Sequence, residues 1–442
     1  MKKIIILLLA LMVAFTFISC DEPEAPHEHK WDEGKVTTEA TCTEAGVKTY
    51  TCACGETKEE PIPAKGHTFS EAWEKDETNH WHKCTIEGCT GISDKLAHTF
   101  SDWHLNADNT KLIIDCTACG YVKDEKEVTV ASTEQELGEA IAAKKPCVAL
   151  LEDIEVTKQT DNFVFDYDFF IDLNGKTLTL NNNFSIIEAN AVINNGSLNV
   201  NYDETLDKNA IQLFKNSSLE LNKVTMESNV GGIFAVNNED NVSLKLNEST
   251  VKAHGYYGLG TNATVPSAVN VTFEITKSTI IVENTEETAG SDAGDNTGIL
   301  FNVNGQVIIK DSNIKAGGQG IILRTGGTEE NKPHMITGTI IEATGENKKP
   351  KDYINETWGG GNNIPLAALV IGNRSTGAYA LGTTVVLNNV ELKAPEKNTV
   401  GKEYFDMFIY QNNETYPVSV TLTGAKPSRI NEDMNDAIYH NE

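Results

Sequence analysis

The residues best suited to do chemistry in this 442-residue chain are seven cysteines and several histidines between positions 42 and 119. Thiolate sulfur and imidazole nitrogen are the ligands that Zn²⁺ prefers in structural sites. The spacing predicts three zinc-binding sets: Cys42, Cys52, Cys54 and His67; His82, Cys84, Cys89 and His98; and Cys116 with Cys119. In the last set, two intervening residues and a following Gly120 give the hairpin spacing of a zinc knuckle.

These residues recur because the segment repeats itself. His67-Thr68-Phe69-Ser70 and His98-Thr99-Phe100-Ser101 start 31 residues apart, and a weaker copy, His29-Lys30-Trp31, starts 38 residues before His67. Units this short cannot bury a sufficient core, so they need a metal ion or disulfides. Residues 29–125 are therefore expected to form small Cys/His-rich modules.

Disulfides remain an alternative to metal, because an exported protein meets an oxidising compartment. The recurrence of histidine with cysteine favours metal. No open coordination position or general base stands out, which makes the expected zinc structural. A redox role for Cys116 and Cys119 lacks the strand-to-helix context of that motif.

The first twenty residues have the pattern of an export signal. Two lysines precede an apolar run from Ile4 to Ile18. The ending Phe17-Ile18-Ser19-Cys20 resembles a bacterial lipobox, which implies a diacylated Cys20 and a lipid-anchored, extracytoplasmic place in the cell envelope. A plain signal peptide or an uncleaved anchor are the alternatives. Residues 21–28 then form an acidic, proline-containing tether.

The charge of the chain limits its partners. There are 64 Asp+Glu against 36 Lys+Arg, giving a net charge of -28. Nucleic acid is excluded as a partner, because its phosphates are neutralised by Lys and Arg. Acidic polysaccharides would be repelled unless calcium intervened.

Residues 129–442 have the pattern of stacked short strands. A capped helix is expected near Ser132–Leu137, followed by a buried strand from Cys147. Apolar anchors then recur at intervals of 20–34 residues, and asparagine, glycine and aspartate separate the strands: Leu178, Leu198, Met226, Val251, Ile280 and Ile314, with Ile340 in a further copy. This period predicts an all-β solenoid with the helix covering its first coil. A β-sandwich is the main alternative.

Both regions resemble known architectures. The phrases around Cys42, Cys52-Ala53-Cys54-Gly55 and Gly66-His67 resemble zinc-ribbon-like repeat modules of bacterial surface proteins. The strand pattern resembles the right-handed parallel β-helix of the pectate-lyase-like superfamily. That superfamily includes polysaccharide lyases and glycoside hydrolases, so the resemblance allows an enzyme but does not require one.

Candidate ligand-binding residues in the solenoid are Trp358, Tyr353 and Arg374. Trp358 lies in a glycine-rich insertion, where its ring could stack on a sugar. An acidic insertion from Glu283 to Asn296 could hold calcium, although its spacing matches no known loop.

Two functions follow from these features. The first is a cell-surface lipoprotein that acts as a non-catalytic binding or adhesion module for carbohydrate or for host or envelope components, including another surface protein. The alternative is a carbohydrate-active enzyme, a lyase or hydrolase, with Arg324 and Arg374 beside Asp311 or Asp295.

Overall fold

A computed structural model describes residues 28–157, 163–201, 209–236, 241–262, 270–283, 296–328, 332–346, 365–373, 382–397, 401, 403–410, 415–431 and 439–441. The chain divides into two compact units. One contains the residues up to Thr99 with Cys116–Tyr121, and the other contains Phe100–Asp115 with the residues from Val122 onward. In the described segments, no helix is long and apolar enough to cross a membrane. Several predicted residues lie outside the described ranges: Cys20, Tyr353, Trp358, Arg374 and Asp295.

Each repeat forms an antiparallel sheet of three strands. The strands are β1 (Lys35–Thr38), β2 (Gly46–Thr51) and β3 (Thr57–Ile62); β4 (Phe69–Lys75), β5 (Asn79–Cys84) and β6 (Leu96–Ala97); and β7 (His104–Leu105), β8 (Lys111–Asp115) and β9 (Val122–Glu127). The first two sheets belong to the first unit and the third sheet to the second unit. Most of the third repeat is therefore part of the same unit as the solenoid.

The solenoid consists of one helix and a long series of short strands. They are β10 (Thr129–Ala131), α1 (Glu134–Ala142), β11 (Cys147–Leu150), β12 (Ile154–Val156), β13 (Phe163–Phe165), β14 (Phe169–Asp172), β15 (Thr177–Leu180), β16 (Phe184–Ile187), β17 (Asn190–Val200), β18 (Asn209–Phe214), β19 (Ser217–Ser228), β20 (Gly231–Val236), β21 (Val242–Asn247), β22 (Thr250–His254), β23 (Tyr257–Asn262), β24 (Val271–Thr276), β25 (Thr279–Glu283), β26 (Thr297–Phe301), β27 (Gly305–Lys310), β28 (Asn313–Ala316), β29 (Ile321–Leu323), β30 (His334–Thr337), β31 (Ile340–Ala343), β32 (Ala367–Gly372), β33 (Thr383–Asn388), β34 (Glu391–Lys393), β35 (Phe405–Tyr410), β36 (Val418–Thr423) and β37 (Tyr439–Asn441).

These strands stack coil upon coil. A 19-stranded sheet and a 9-stranded sheet run along the solenoid, and each strand pairs in parallel with its counterpart in the next coil. The larger sheet consists of two rows of strands that meet at a corner of each coil. Strands β17 and β19 each run unbroken through this corner and belong to both rows. The predicted all-β parallel solenoid is confirmed.

The predicted apolar anchors form one buried column. The register aligns Leu178, Leu198, Met226, Val251, Ile280, Ile314, Ile341 and Leu392 in successive coils. The anchor of one coil is therefore Ile341, because Ile340 pairs with Asn313 and lies one residue out of the inward alternation. Burial of such side chains is the main favourable term in stacking the coils.

A line of buried hydroxyl groups joins the coils at the corner between the two rows. The Ser249 N–H donates to the Ser278 Oγ at 3.0 Å, and the Ser278 N–H donates to the Ser312 Oγ at 3.1 Å. The Ser278 hydroxyl in turn donates to the Thr276 carbonyl at 2.8 Å. The hydroxyl of each coil thus accepts a hydrogen bond from a buried backbone N–H of the preceding coil, which has no water to bond to.

Asparagine side chains form a second ladder at the same corner. The Asn222 Nδ2 donates to the Asn194 Oδ1 at 2.9 Å, and the Asn247 Nδ2 donates to the Asn222 Oδ1 at 2.7 Å. The residue after each corner asparagine is left-handed. It is again an asparagine at Asn195 and Asn389, whereas Lys223 and Glu248 take the position in other coils.

Helix α1 covers the first coil as predicted. Its N-cap is Thr133, whose hydroxyl accepts a hydrogen bond from the Glu136 N–H at 3.2 Å. Leu137 is fully buried in the solenoid core, and Ile141 packs against that core. In the following strand, burial raises the pKa of the Cys147 thiol to about 11, which fits a core thiol.

We expect Ser278→Ala to lower the free energy of unfolding by about 1–3 kcal/mol, because it leaves the buried Ser249 N–H without an acceptor. Urea denaturation followed by circular dichroism measures this loss. Ser243→Ala, on the outer surface of β21, is the matched control and should change stability by less than about 0.5 kcal/mol. Equal effects of both changes would contradict the role assigned to the hydroxyl line.

Candidate metal centres and solenoid groove

Three groups of Cys and His side chains lie in the first unit, each with its donor atoms within 4.8 Å of one another. Group 1 is His29, Cys52 and Cys54. Group 2 is Cys42, His67, Cys84 and Cys89. Group 3 is His80, His98, Cys116 and Cys119. The prediction of Cys/His groups positioned to bind a metal ion is confirmed.

The spacing of the donor atoms fits a tetrahedral ion. Bonds of about 2.3 Å to sulfur and about 2.0–2.1 Å to nitrogen require donor atoms about 3.3–3.8 Å apart. The Cys42 and Cys84 sulfurs are 3.9 Å apart, and the Nδ1 atoms of His80 and His98 are 3.3 Å apart. Mixed pairs are 3.3 Å apart in group 2, 3.4 Å in group 1, and 3.5 and 3.7 Å in group 3.

The same distances show that these sulfur atoms are not joined in disulfide bonds. A disulfide needs sulfurs about 2.05 Å apart. All cysteines in the described part of the chain are free thiols. The alternative of a disulfide-held repeat region is thus not the state that the structure shows.

The groups divide the predicted ligands differently from the sequence analysis. Cys52 and Cys54 were assigned to one set with Cys42 and His67, but the structure places them with His29. Cys42 and His67 instead lie beside Cys84 and Cys89. His98 joins Cys116 and Cys119, which completes a set that the sequence had left with two members.

His82 lies outside all three groups. Its Nδ1 donates to the Ala72 carbonyl at 3.1 Å, and its ring stacks on Trp73 at 3.7 Å. His80, two residues earlier, is 4% exposed and supplies the donor atom in group 3. Both side chains lie on one face of β5, because strand residues two apart do, so spacing alone did not distinguish them.

In each group the pKa of one cysteine is lowered and that of another is raised: the hydrogen bond with Cys89 raises the pKa of Cys42 to about 12, and the pKa values of Cys54 and Cys119 are also raised. Burial alone would raise the pKa of Cys84, but hydrogen bonds from the Ile86 N–H and the His67 ring lower it to about 6. The pKa of Cys116 is likewise lowered to about 6, against the effect of burial, by the backbone N–H groups of Cys119 and Ala118. One thiolate, the metal-binding form, is therefore favoured in each of these two groups.

The first cysteine turn behaves similarly. Hydrogen bonds from the Cys54 backbone, the Cys54 thiol and the His29 ring lower the pKa of Cys52 to about 6. One residue rather than two separates Cys52 from Cys54, yet both sulfurs belong to one group with His29. The shorter spacing is thus compatible with two sulfurs in one group.

Neighbouring side chains orient the histidine ligands. The His98 Nε2 donates to the Asp76 carbonyl at 2.9 Å, so in the neutral ring the lone pair lies on Nδ1, which is directed at the group. The His98 ring stacks on Tyr121 at 4.8 Å. His67 stacks on Phe69 at 5.5 Å, and His29 stacks on Trp31 at 5.2 Å. Two ligand rings thus stack on the aromatic residue of their own motif, and the third stacks on Tyr121.

One ligand of each four-membered group comes from the preceding repeat. The opening histidine and the two turn cysteines belong to one repeat, and the fourth ligand is Cys42 in group 2 or His80 in group 3. Cys42 is the 13th residue after His29, and His80 is the 13th after His67. The equivalent residue of the third repeat is Lys111, which instead pairs with Glu125 at 2.7 Å.

In the second unit, a groove of about 340 Å³ runs along the asparagine ladder. The lining residues are Ser101, Asp102, Trp103, Ile114, Asn194, Asn195, Asn222, Lys223, Asn247, Glu248, Thr276 and Lys277. Lys223 pairs with Asp102, and Lys277 lies 3.6 Å from Glu248. Sequence reasoning missed this groove, because it joins the third repeat to corners that lie far away in the sequence.

A second constellation lies on the outer surface of β19, β22 and β25. His254 is placed between two carboxylates, 3.2 Å from Glu227 and 3.9 Å from Glu283, and Lys252 pairs with both carboxylates. Acidic and basic residues therefore meet on matching coils of the solenoid. Glu283, at the start of the acidic insertion, faces Lys252 and His254, whereas residues 284–295 of the predicted calcium-binding insertion lie outside the described residues.

We expect Gly91→Ala to weaken metal binding at group 2 about 10–100-fold, as loss of ligand orientation does. A Cβ atom there would lie 2.3 Å from the His67 Cε1 and force the ring away. Competition with a coloured chelator measures the affinity. Thr90→Ala, at the exposed neighbouring position, is the control and should bind like the wild type. An unchanged affinity in Gly91→Ala would contradict the placement of His67.

No protein-family model, curated protein or solved structure matches the chain.

Proposed function

We propose that this protein is a lipid-anchored surface protein of the bacterial cell envelope that binds carbohydrate without catalysis. Its Cys/His repeats are held by structural zinc, and its solenoid presents the binding surface. The groove along the asparagine ladder is the observation that carries the proposal. The zinc-ribbon-like and pectate-lyase-like resemblances agree with this assignment.

Zinc is the ion that the donor sets favour. Two groups combine thiolate and imidazole in sets of four, and soft thiolates with imidazole select zinc over magnesium or calcium. Four protein ligands fill a tetrahedral shell, which is characteristic of structural rather than catalytic zinc. Calcium would require oxygen ligands, which these groups do not supply.

The groove offers the chemistry that a hydroxyl-rich ligand needs. Amide groups donate and accept hydrogen bonds, Lys277 and Glu248 supply charged partners, and the half-buried Trp103 contributes an aromatic wall. Lysine and glutamate alternate along the corner. The groove therefore has no excess of positive or negative charge that would attract or repel a charged glycan. The groove therefore suits a neutral oligosaccharide better than a polyuronate.

A carbohydrate-active enzyme is the second candidate, favoured by His254 between Glu227 and Glu283. Two carboxylates beside a base could serve as acid and base in glycoside cleavage. However, hydrogen bonds from His254 and Lys252 lower the pKa of Glu227, which makes it a poor proton donor. The Arg324 of the alternative proposal is buried in the solenoid, only 7% exposed.

A glycan array with the purified protein tests the binding proposal, with a released-sugar assay on every glycan bound. We expect neutral oligosaccharides to bind without product, and Asn247→Ala to weaken binding roughly 5–10-fold through loss of about 1 kcal/mol. Asn313→Ala, at an exposed position outside the groove, is the matched control. Unchanged binding in Asn247→Ala, or no glycan bound, would overturn the groove assignment, and released sugar would favour the enzyme.

The anchor is tested separately. Expressed in bacteria fed a labelled fatty acid, the wild-type chain should incorporate the label, and Cys20→Ser should not, because the acylated sulfur is removed. Cys147→Ala, which removes a core thiol, should retain the label. Labelling of Cys20→Ser would disprove the anchor.

A further inference from the structure

Two sulfur atoms from different repeats lie side by side in group 2. Cys42 belongs to the first repeat and Cys84 to the second, and their sulfurs are 3.9 Å apart. Both side chains are buried, at 8% and 6% exposure. A disulfide needs sulfurs about 2.05 Å apart, so a shift of about 2 Å by side-chain rotation would join them. The pair is therefore placed to link two repeats covalently.

The third sulfur of group 2 is held by other partners. The Cys89 sulfur accepts a hydrogen bond from the Gly91 N–H at 3.4 Å and lies 3.3 Å from the His67 Nδ1. These contacts fix Cys89 within its own turn. Among the three sulfurs, the geometry therefore favours the pairing of Cys42 with Cys84.

A cavity of about 540 Å³ gives small solutes access to this group. Residues of both repeats line it, including Thr41 and Cys42 from the first repeat and Glu87 and Cys89 from the second. Because Cys42 is part of this lining, a small oxidant can reach the pair from the cavity.

The other two groups differ in where their sulfurs come from. In group 3 the ligand from the preceding repeat is His80, so Cys116 and Cys119 stand in a single turn. In group 1, Cys52 and Cys54 also belong to one turn. Oxidation of either pair would leave the repeats unlinked. Among the cysteines that the structure describes, those of group 2 alone bring together sulfurs of two repeats.

We propose that group 2 is a redox-sensitive junction, at which a hydroperoxide converts Cys42 and Cys84 into a disulfide between two repeats. Hydrogen peroxide transfers one oxygen atom to the Cys84 sulfur, which yields a sulfenic acid and one water molecule. The Cys42 thiol then attacks this sulfur, so that the S–S bond forms and a second water molecule leaves. The two thiols lose two electrons and two protons, and the peroxide accepts them. Oxidation of Cys42 first gives the same product.

The inference goes beyond the proposed structural zinc, because it rests on the positions of the sulfur atoms. With zinc bound, the disulfide would remove two of the four donors and leave His67 and Cys89, which are too few for a structural site. Metal and disulfide are therefore alternative links between the first and second repeats. In an oxidising compartment the disulfide would keep these repeats joined after the metal is lost.

Disulfide mapping of the purified full chain tests this junction. Trypsin cleaves after lysine, so Cys42 lies in peptide 36–48, whereas Cys84 and Cys89 lie in peptide 84–95. The cysteines of each other group share one peptide, 49–58 in group 1 and 112–123 in group 3. After treatment with hydrogen peroxide, alkylation of the remaining thiols and digestion, we expect peptide 36–48 joined to peptide 84–95, with the alkyl label on Cys89.

Two variants locate the bond. Cys42→Ser should lose the joined peptides. Cys89→Ser is the matched control, because it removes a sulfur of the same group but leaves the pair, and it should keep the peptides joined. A label on Cys84 in the joined peptides, a disulfide confined to peptide 84–95, or two separate peptides in the wild type would each overturn the inference.

Added zinc distinguishes this inference from the proposed metal site. Zinc supplied before the peroxide should slow the joining of the two peptides, since both sulfurs are donors in group 2. Joining at an unchanged rate would count against the proposed zinc and leave the disulfide standing. Separate peptides both with and without zinc would overturn the disulfide and leave the zinc standing.

Discussion

A single repeat or a single coil buries too little of its own surface to fold alone, and the structure depends on that constraint. A repeat of about thirty residues with one or two aromatic rings buries too little apolar surface to fold alone. A single solenoid coil leaves its backbone groups and one edge of its apolar interior unsatisfied. Each repeat and each coil is therefore stabilised by groups that its neighbour supplies.

The two regions meet this constraint with different chemistry. In the repeats, a ligand from one repeat, Cys42 or His80, enters the donor group of the next. In the solenoid, the buried Ser278 hydroxyl accepts from the preceding coil while Val251 and Ile280 stack in the core. With the proposed zinc bound, the repeats are held by a few strong metal–ligand bonds, whereas the coils are held by many weak contacts. The proposed binding surface lies on the solenoid, where the outer ends of the corner residues can contact a ligand.

Much of the fold could be predicted from the sequence, because each coil repeats the same local pattern. The apolar anchors and the helix N-cap depend on neighbours along the chain, and both were found within one residue. The composition of the metal groups could not be predicted in the same way. Cys42 is close to Cys52 in sequence but lies beside Cys84, because the partner of a ligand depends on how two repeats fold against each other.

The groove was hidden for a related reason. Trp103 belongs to the third repeat, yet it packs against Phe170 of the solenoid at a ring distance of 5.7 Å. Asn195 secures this arrangement by donating to the Trp103 carbonyl at 3.1 Å. Trp103 falls among the cysteines and histidines in the sequence, so it was predicted to belong to the Cys/His-rich modules. An aromatic side chain fits either environment, so its residue type gave no signal.

Lys111 has a consequence for how such a chain can change in length. Any repeat with a cysteine or histidine at this position carries both a receiving site and a ligand for its successor, so duplicating or deleting it whole still leaves the next group with a fourth donor, either a sulfur or an imidazole. A repeat with lysine there can only stand last, since it receives a ligand and passes none on. Tandem gene duplication could therefore lengthen the region by inserting copies before the third repeat, while the junction with the solenoid stays unchanged.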